Sequence, residues 1–223
     1  MKDTTTYDLL PTLPLFQGLS KADMGTIVDE TKFTRRRLAA GKTIRQEGEA
    51  CDALWFLISG QAKSVALADD HGYAFEEELS TPDVLQPERL FGLVQRYSKT
   101  FITETACELL VIDKQEVMRL LDRFVIFRLN MMNIVSTQSQ KLSRHPWHIV
   151  GSTRQRIVRF FEIHFARPAG RKTVRIKVTR LAAELNMGKQ PVSQELNRMQ
   201  DEGLLSFSRA TIRIPAFERL RLT

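Results

Sequence analysis

The segment 178–205, VTRLAAELNMGKQPVSQELNRMQDEGLL, holds the residues whose types and spacing carry the most chemistry in the chain. Val192, Leu196 and Met199 fall at i, i+4 and i+7 and make one apolar helical stripe, able to pack on Leu181, Ala182 and Leu185 of a preceding helix. With Val192 facing inward and about 100° per residue, Gln190, Gln194 and Asn197 point away from the core, with Lys189 and Ser193 on the flanks. An amide side chain donates and accepts at once, so Gln can bond N6 and N7 of adenine together, while Lys, Ser and Thr reach phosphates or guanine. This is the chemistry of major-groove reading. Pro191 sits in the first turn, where its missing N–H costs nothing within the helix. The plain alternative is an amphipathic helix whose polar face is merely solvated.

Other chemistries find less support. No nucleophile–base spacing, metal-ligand cluster or Gly-rich phosphate loop stands out, so no catalytic residue, metal site or cofactor is expected. Cys51 and Cys107 are too few for a disulfide framework or a four-thiolate iron–sulfur site, and Cys107, on an apolar strand, reads as a small buried side chain. His71 at a hairpin tip, and His145 and His148 near a hinge, read as surface or linker residues, with haem or metal ligation as the alternative.

Charge separates the chain into two parts. The net charge is +7, but residues 145–223 carry 15 Lys and Arg against 6 Asp and Glu, and the 144 residues before them 18 against 20. The basic excess therefore sits in the last third, as in a nucleic-acid-binding module joined to a part with another task; a basic surface kept for solubility is the alternative. Hydrophobic content of 43% and charged content of 26% fit a globular chain. The most apolar stretch, 124–135, is broken by Arg128, Asn130 and Asn133, and the first residues have no apolar signal region. The expectation is a soluble, cytoplasmic protein without a membrane partner.

The elements that must position these residues follow. Short strands with glycine-marked turns are predicted at 33–38, 43–46, 53–59, 61–67, 73–79, 100–105 and 107–112. Strand 53–59 is apolar on both faces and so covered on both sides. A short helix follows at 114–122, then a long one at 124–144 whose first half is apolar over an arc wide enough for two partners, its own barrel and a second helix. Pro146, in Arg144-His145-Pro146-Trp147, marks a boundary. Beyond it lie a helix at 153–165, a strand at 173–177, a helix from an N-cap at Thr179 to about Leu185, a second from Gly188, and a wing of 204–207 and 211–214 around Ser208-Arg209-Ala210.

Thr179-Arg180, Leu181-Ala182, Asn186-Met187-Gly188, Val192-Ser193 and Gly203-Leu204-Leu205 resemble, in order, the helix-turn-helix and wing of the cyclic-AMP receptor protein and FNR (Crp/Fnr) family of bacterial transcription regulators. Leu15 to Ser20 looks like that family's opening motif, Gly41 to Gly48 followed by Leu54 to Gly60 like its barrel signature, and Thr105 to Glu108 like the strand before its dimerisation helix. The resemblance implies an α+β chain in three parts. Residues 1–122 would form a double-stranded β-helix, a cyclic-nucleotide-binding-like jelly-roll barrel, 123–145 a dimerisation helix, and 146–223 a winged helix-turn-helix. It implies a homodimeric, non-enzymatic regulator that contacts double-stranded DNA through Thr179, Arg180, Lys189, Gln190, Ser193, Gln194, Asn197 and Arg198, with RNA polymerase a candidate partner.

The chain departs from the family where the cyclic nucleotide would sit. Laid without gaps from Asp83 to Cys107, the positions of the ribose-binding Gly-Glu and phosphate-binding Arg-Ser pairs hold Gln86-Pro87 and Tyr97-Ser98. A buried phosphate needs a charge-assisted partner, and Tyr is a poor substitute for a guanidinium fork. Arg89, Arg96 or Lys99 would supply the charge only in a shifted register. These four positions are the candidate effector pocket, and the barrel either senses another small molecule or serves as a scaffold. Gln190 and Gln194 also replace the family's usual acidic and arginine readers, so its operator does not transfer. The competing class is a ligand-binding or enzymatic β-barrel with an accessory C-terminal interaction module.

Overall fold

A computed structural model describes residues 6–143 and 151–221, and divides the chain into two compact units, one of Met1–Lys63 with Leu79–Gln140 and one of Ser64–Glu78 with Lys141–Thr223. Pro146, Trp147, His145 and His148, on which the expected boundary and two candidate ligands fall, lie outside the described residues.

The first unit opens with a short helix α1 (Thr6–Leu9), a 3-10 turn and α2 (Lys21–Glu30), absent from the expectations above. The hydroxyl of Ser20, the last residue of the opening motif, accepts the Asp23 amide at 3.0 Å and caps α2. Along the chain strands β1 (Phe33–Leu38), β2 (Thr43–Arg45), β3 (Ala53–Ser59), β4 (Ala62–Leu67), β5 (Ala74–Leu79), β6 (Asp83–Val84), β7 (Thr100–Thr103) and β8 (Cys107–Asp113) follow, of which β4 and β5 fall mainly in the second unit. All but the two-residue β6 were expected. Within the first unit β1-β8-β3-β6 form one antiparallel sheet and β2 pairs with β7. Five consecutive residues of β3, Ala53 to Leu57, are buried, as its two apolar faces require. Gly60 ends β3 at φ 91, and a Cβ there would lie 2.3 Å from the Ala106 carbonyl, so both conformation and space call for glycine.

Helices α3 (Lys114–Arg123) and α4 (Val125–Ser143) close this unit. Phe127 and Met131 of α4 are buried with Phe16, Phe56 and Leu110 in one core, the Phe16 and Phe127 rings 5.0 Å apart. Asn130 donates to the carbonyls of Leu15 and Gln17 and so ties the opening motif to α4. The other side of α4 stays open: Val125, Leu129, Met132 and Val135 are all exposed.

In the second unit α5 (Thr153–His164), β9 (Lys172–Arg175), α6 (Val178–Glu184), α7 (Lys189–Asp201), β10 (Ser206–Ser208), β11 (Thr211–Ile214) and α8 (Phe217–Arg221) enclose a separate core of Ile157, Phe161, Leu181, Leu196, Met199 and Ile214. The strand order is β10-β11-β9-β5-β4, so the hairpin Ser64–Glu78 completes this unit's sheet. Leu204 and Leu205, expected in the wing strand, are instead buried in the core, and β10 starts after them. Thr179 is not the N-cap. Ile176 and Val178 pack on the core and draw the chain into the helix early, so Lys177 caps α6 without a side-chain bond.

Candidate nucleic-acid interface

Two backbone motifs aim α7. Helix α6 ends with Asn186 in the left-handed region (φ 51), its amide on the Ala183 carbonyl and the next amide, from Met187, on Ala182. Asparagine tolerates that conformation better than other non-glycine residues, which is why it stands at this turn. Helix α7 ends identically: Gly203 (φ 71) donates to Gln200, and Leu204 to Met199. Between these two stops Val192, Leu196 and Met199 are fully buried against Leu181, Ala182 and Leu185.

A charged fork fixes the helix from behind. Arg154, in the first turn of α5, donates Nε to Glu195 at 2.7 Å and its two terminal nitrogens to Glu202 at 2.8 and 2.6 Å. These bonds, from Glu202 first, raise the guanidinium pKa, and Arg154 in turn holds the Glu202 carboxyl below its ordinary range. Ser152 and Gln155 form a capping box that positions this turn of α5.

With its apolar face and Glu195 committed, α7 presents Lys189, Gln190, Gln194, Asn197 and Arg198 to solvent, and Ser193 is half-buried beside them. Thr179 is exposed at the start of α6. Arg180 behaves differently: its Nη2 lies 2.8 Å from Asp70 of the β4–β5 hairpin and 2.7 Å from Glu184. The structure thus brings the eight expected residues onto α7 and the first turn of α6. Three residues were not anticipated beside this face: Arg154 behind α7, Asp70 on Arg180, and Arg209 at the wing tip with φ 50. The capping pattern Ser152–Gln155 pointed to the first, and the basic tip Ser208-Arg209-Ala210 to the last.

Two of the four candidate effector residues bond each other. Gln86, in the left-handed region at φ 39, donates Nε2 to the Ser98 hydroxyl at 2.7 Å and accepts the Ser98 amide at 3.0 Å. Pro87 is buried at the head of a 3-10 turn. Tyr97 is buried, its hydroxyl donating to the Ala53 carbonyl at 3.3 Å, and burial pushes its phenol above the usual range. Of the neighbouring cations, Arg96 donates to the Gly48 carbonyl at 2.7 Å. Cys51 and Cys107 are buried and unpaired as a disulfide, and burial raises both thiols above their usual range. Among the described residues no three His, Cys, Asp or Glu side chains gather as a metal site, and no helix is long and apolar enough to cross a membrane.

An antiparallel β domain followed by a helix-turn-helix with a wing is the arrangement of a DNA-binding regulator. The cyclic nucleotide-binding domain model matches residues 35–124, and the Crp-like helix-turn-helix domain model residues 155–223. The chain belongs to the Crp/Fnr family of transcription regulators. The sensor domain of the transcriptional regulator DNR from Pseudomonas aeruginosa is 19% identical, with a TM-score of 0.50 over 63% of this chain and 98% of that one. The Thermus thermophilus catabolite activator protein is 18% identical, with a TM-score of 0.49 over 93% and 96%. No curated protein matches the chain.

Proposed function

We propose that the protein is a homodimeric, non-enzymatic regulator that reads a pseudo-palindromic DNA site through α7 of each protomer and does not respond to cyclic AMP or cyclic GMP. The observation that carries this reading is the division of labour on α7. One face is locked by Val192, Leu196, Met199 and the Arg154–Glu195 bond, and the opposite face offers Gln190, Gln194 and Asn197 to solvent beside Lys189. In this reading Gln190 and Gln194 bond base edges, while Arg180 and Lys189, with Thr179, Ser193 and Arg198 beside them, hold phosphates. A promoter-proximal site would place the dimer beside RNA polymerase.

The test starts from a site selected out of genomic fragments by gel shift. Gln194→Ala should weaken the selected site by about 1–3 kcal/mol and relax preference at one base pair. Lys189→Ala should weaken selected and random DNA alike and flatten the salt dependence. Equal loss on both DNAs for Gln194→Ala would remove α7 as the reader.

A further inference from the structure

The hairpin Ser64–Glu78 is fastened within the second unit along Ala74 to Glu77 of its second strand. Registers Ala74↔Arg175 to Glu77↔Lys172 pair β5 with β9. Glu77 is fully buried and accepts Lys172 Nζ at 2.9 Å and the amides of Ala166 and Arg167 at 2.9 and 3.0 Å. Buried charge is stable only when satisfied in this way, so the contact is a fixed anchor. Glu76 pairs with Arg175 on the same ladder. Phe75 stacks on His164 with centroids 4.4 Å apart and meets the edge of Phe165.

That anchor delivers the hairpin tip to α6. Asp70 Oδ1 accepts the Gly72 amide at 2.9 Å, which orients the carboxylate and leaves Oδ2 on Arg180 Nη2 at 2.8 Å. The guanidinium carbon lies 5.6 Å from the Tyr73 ring centroid, so a second hairpin residue seats it. Its Nε is buried without a hydrogen-bond partner. Arg180 follows Thr179 in the first turn of α6, among the residues assigned to phosphates above. A carboxylate and a phosphate oxygen seek the same donors of one guanidinium.

We propose that Asp70 is a built-in competitor of the DNA backbone for Arg180, so that the hairpin tip must yield the guanidinium before α6 can take a phosphate. The proposal rests on the DNA-binding reading. The Asp70 and Arg180 side chains are 51% and 40% exposed, and an ion pair that open is weak. The contact therefore tunes affinity and does not block binding. Glu184 remains on Arg180 through the exchange, one helical turn away on α6.

The test measures the affinity of the full chain for its selected site at fixed salt by fluorescence anisotropy. Asp70→Asn should tighten binding about two- to fivefold, the range expected from releasing one exposed pair. Asp69→Asn removes the same formal charge one residue away and should change affinity by less than half that factor. In an Arg180→Ala background the gain from Asp70→Asn should vanish. Thermal melting checks that every variant is folded, and Asp70, being exposed, tolerates the substitution. An unchanged Asp70→Asn, an equal effect of Asp69→Asn, or a gain that persists without Arg180 would overturn the proposal. Those outcomes leave the DNA-binding reading standing. A wild-type chain that selects no DNA site would overturn both.

Discussion

Tyr97 and Pro87 carry the expectation that the N-terminal β domain does not take a cyclic nucleotide. In the register of the family resemblance they stand where a guanidinium and a carboxylate would meet a cyclic phosphate and its ribose. Losing a buried partner to a charged group costs about 2–5 kcal/mol. Each 1.4 kcal/mol is about tenfold, so a micromolar site would become millimolar or weaker. The structure adds a second obstacle: Gln86 Nε2 and the Ser98 amide are engaged with each other's side chain, and an anion seeking those two donors would have to part them. Calorimetry should show no heat, and thermal melting no upward shift, with cyclic AMP or cyclic GMP at millimolar concentration. A micromolar isotherm would contradict this, and substituting Arg89, Arg96 and Lys99 in turn would then locate the missing charge.

At the level of elements, α7 is only as well aimed as its support. Arg154→Ala leaves Glu195, a nearly buried carboxylate, without its 2.7 Å partner and with the longer 3.6 Å contact to Arg198, a loss that costs about 1–3 kcal/mol. The melting temperature of the C-terminal unit should fall by several degrees. The acid limb carries a second signature. The folded pKa of Glu202 is depressed by Arg154, so its contribution is present above the ordinary glutamate pKa and is lost as pH falls through the folded value. Melting temperature followed from neutral pH downward should therefore drop less steeply in Arg154→Ala than in wild type, and parallel curves would refute the assignment. The helices around this fork were legible in sequence because periodicity is local: Val192, Leu196 and Met199 declare their own face. Helix α2 was not, since it buries only Met24 and Ile27 and shows too short a stripe. Nor was the place of the hairpin Ser64–Glu78, which depends on β5 pairing with β9 and on Asp70 meeting Arg180, partners too distant in the chain to leave a periodic trace. Exposure of Gln190, Gln194 and Asn197 could be read in advance; the occupation of Arg180 could not.

At the scale of the whole molecule, α4 has two apolar faces. Phe127 and Met131 face its own core, and Val125, Leu129 and Met132 form a second stripe, spaced by four and three residues, that stays exposed with Val135 beside it. An apolar stripe at that spacing matches the seam of a two-helix contact, and it motivates the dimer proposed above. Across a two-fold axis each such residue meets its own copy or a near neighbour, so one substitution acts twice. The continuation is polar, with Ser136 and Ser139 at the next seam positions, which concentrates the apolar contact in the first half of the helix. Two protomers joined there would present two α7 helices, and binding a pseudo-palindrome needs them about 34 Å apart, one turn of DNA. Light scattering at micromolar concentration should give twice the chain mass. Leu129→Glu or Met132→Glu would bring like charges together at the axis and should halve that mass without lowering helicity, because both side chains are exposed in the single chain. Met118→Glu, equally exposed but on α3, should leave the mass unchanged. A wild-type monomer, or a dimer indifferent to both α4 charges, would show that α4 is not the seam.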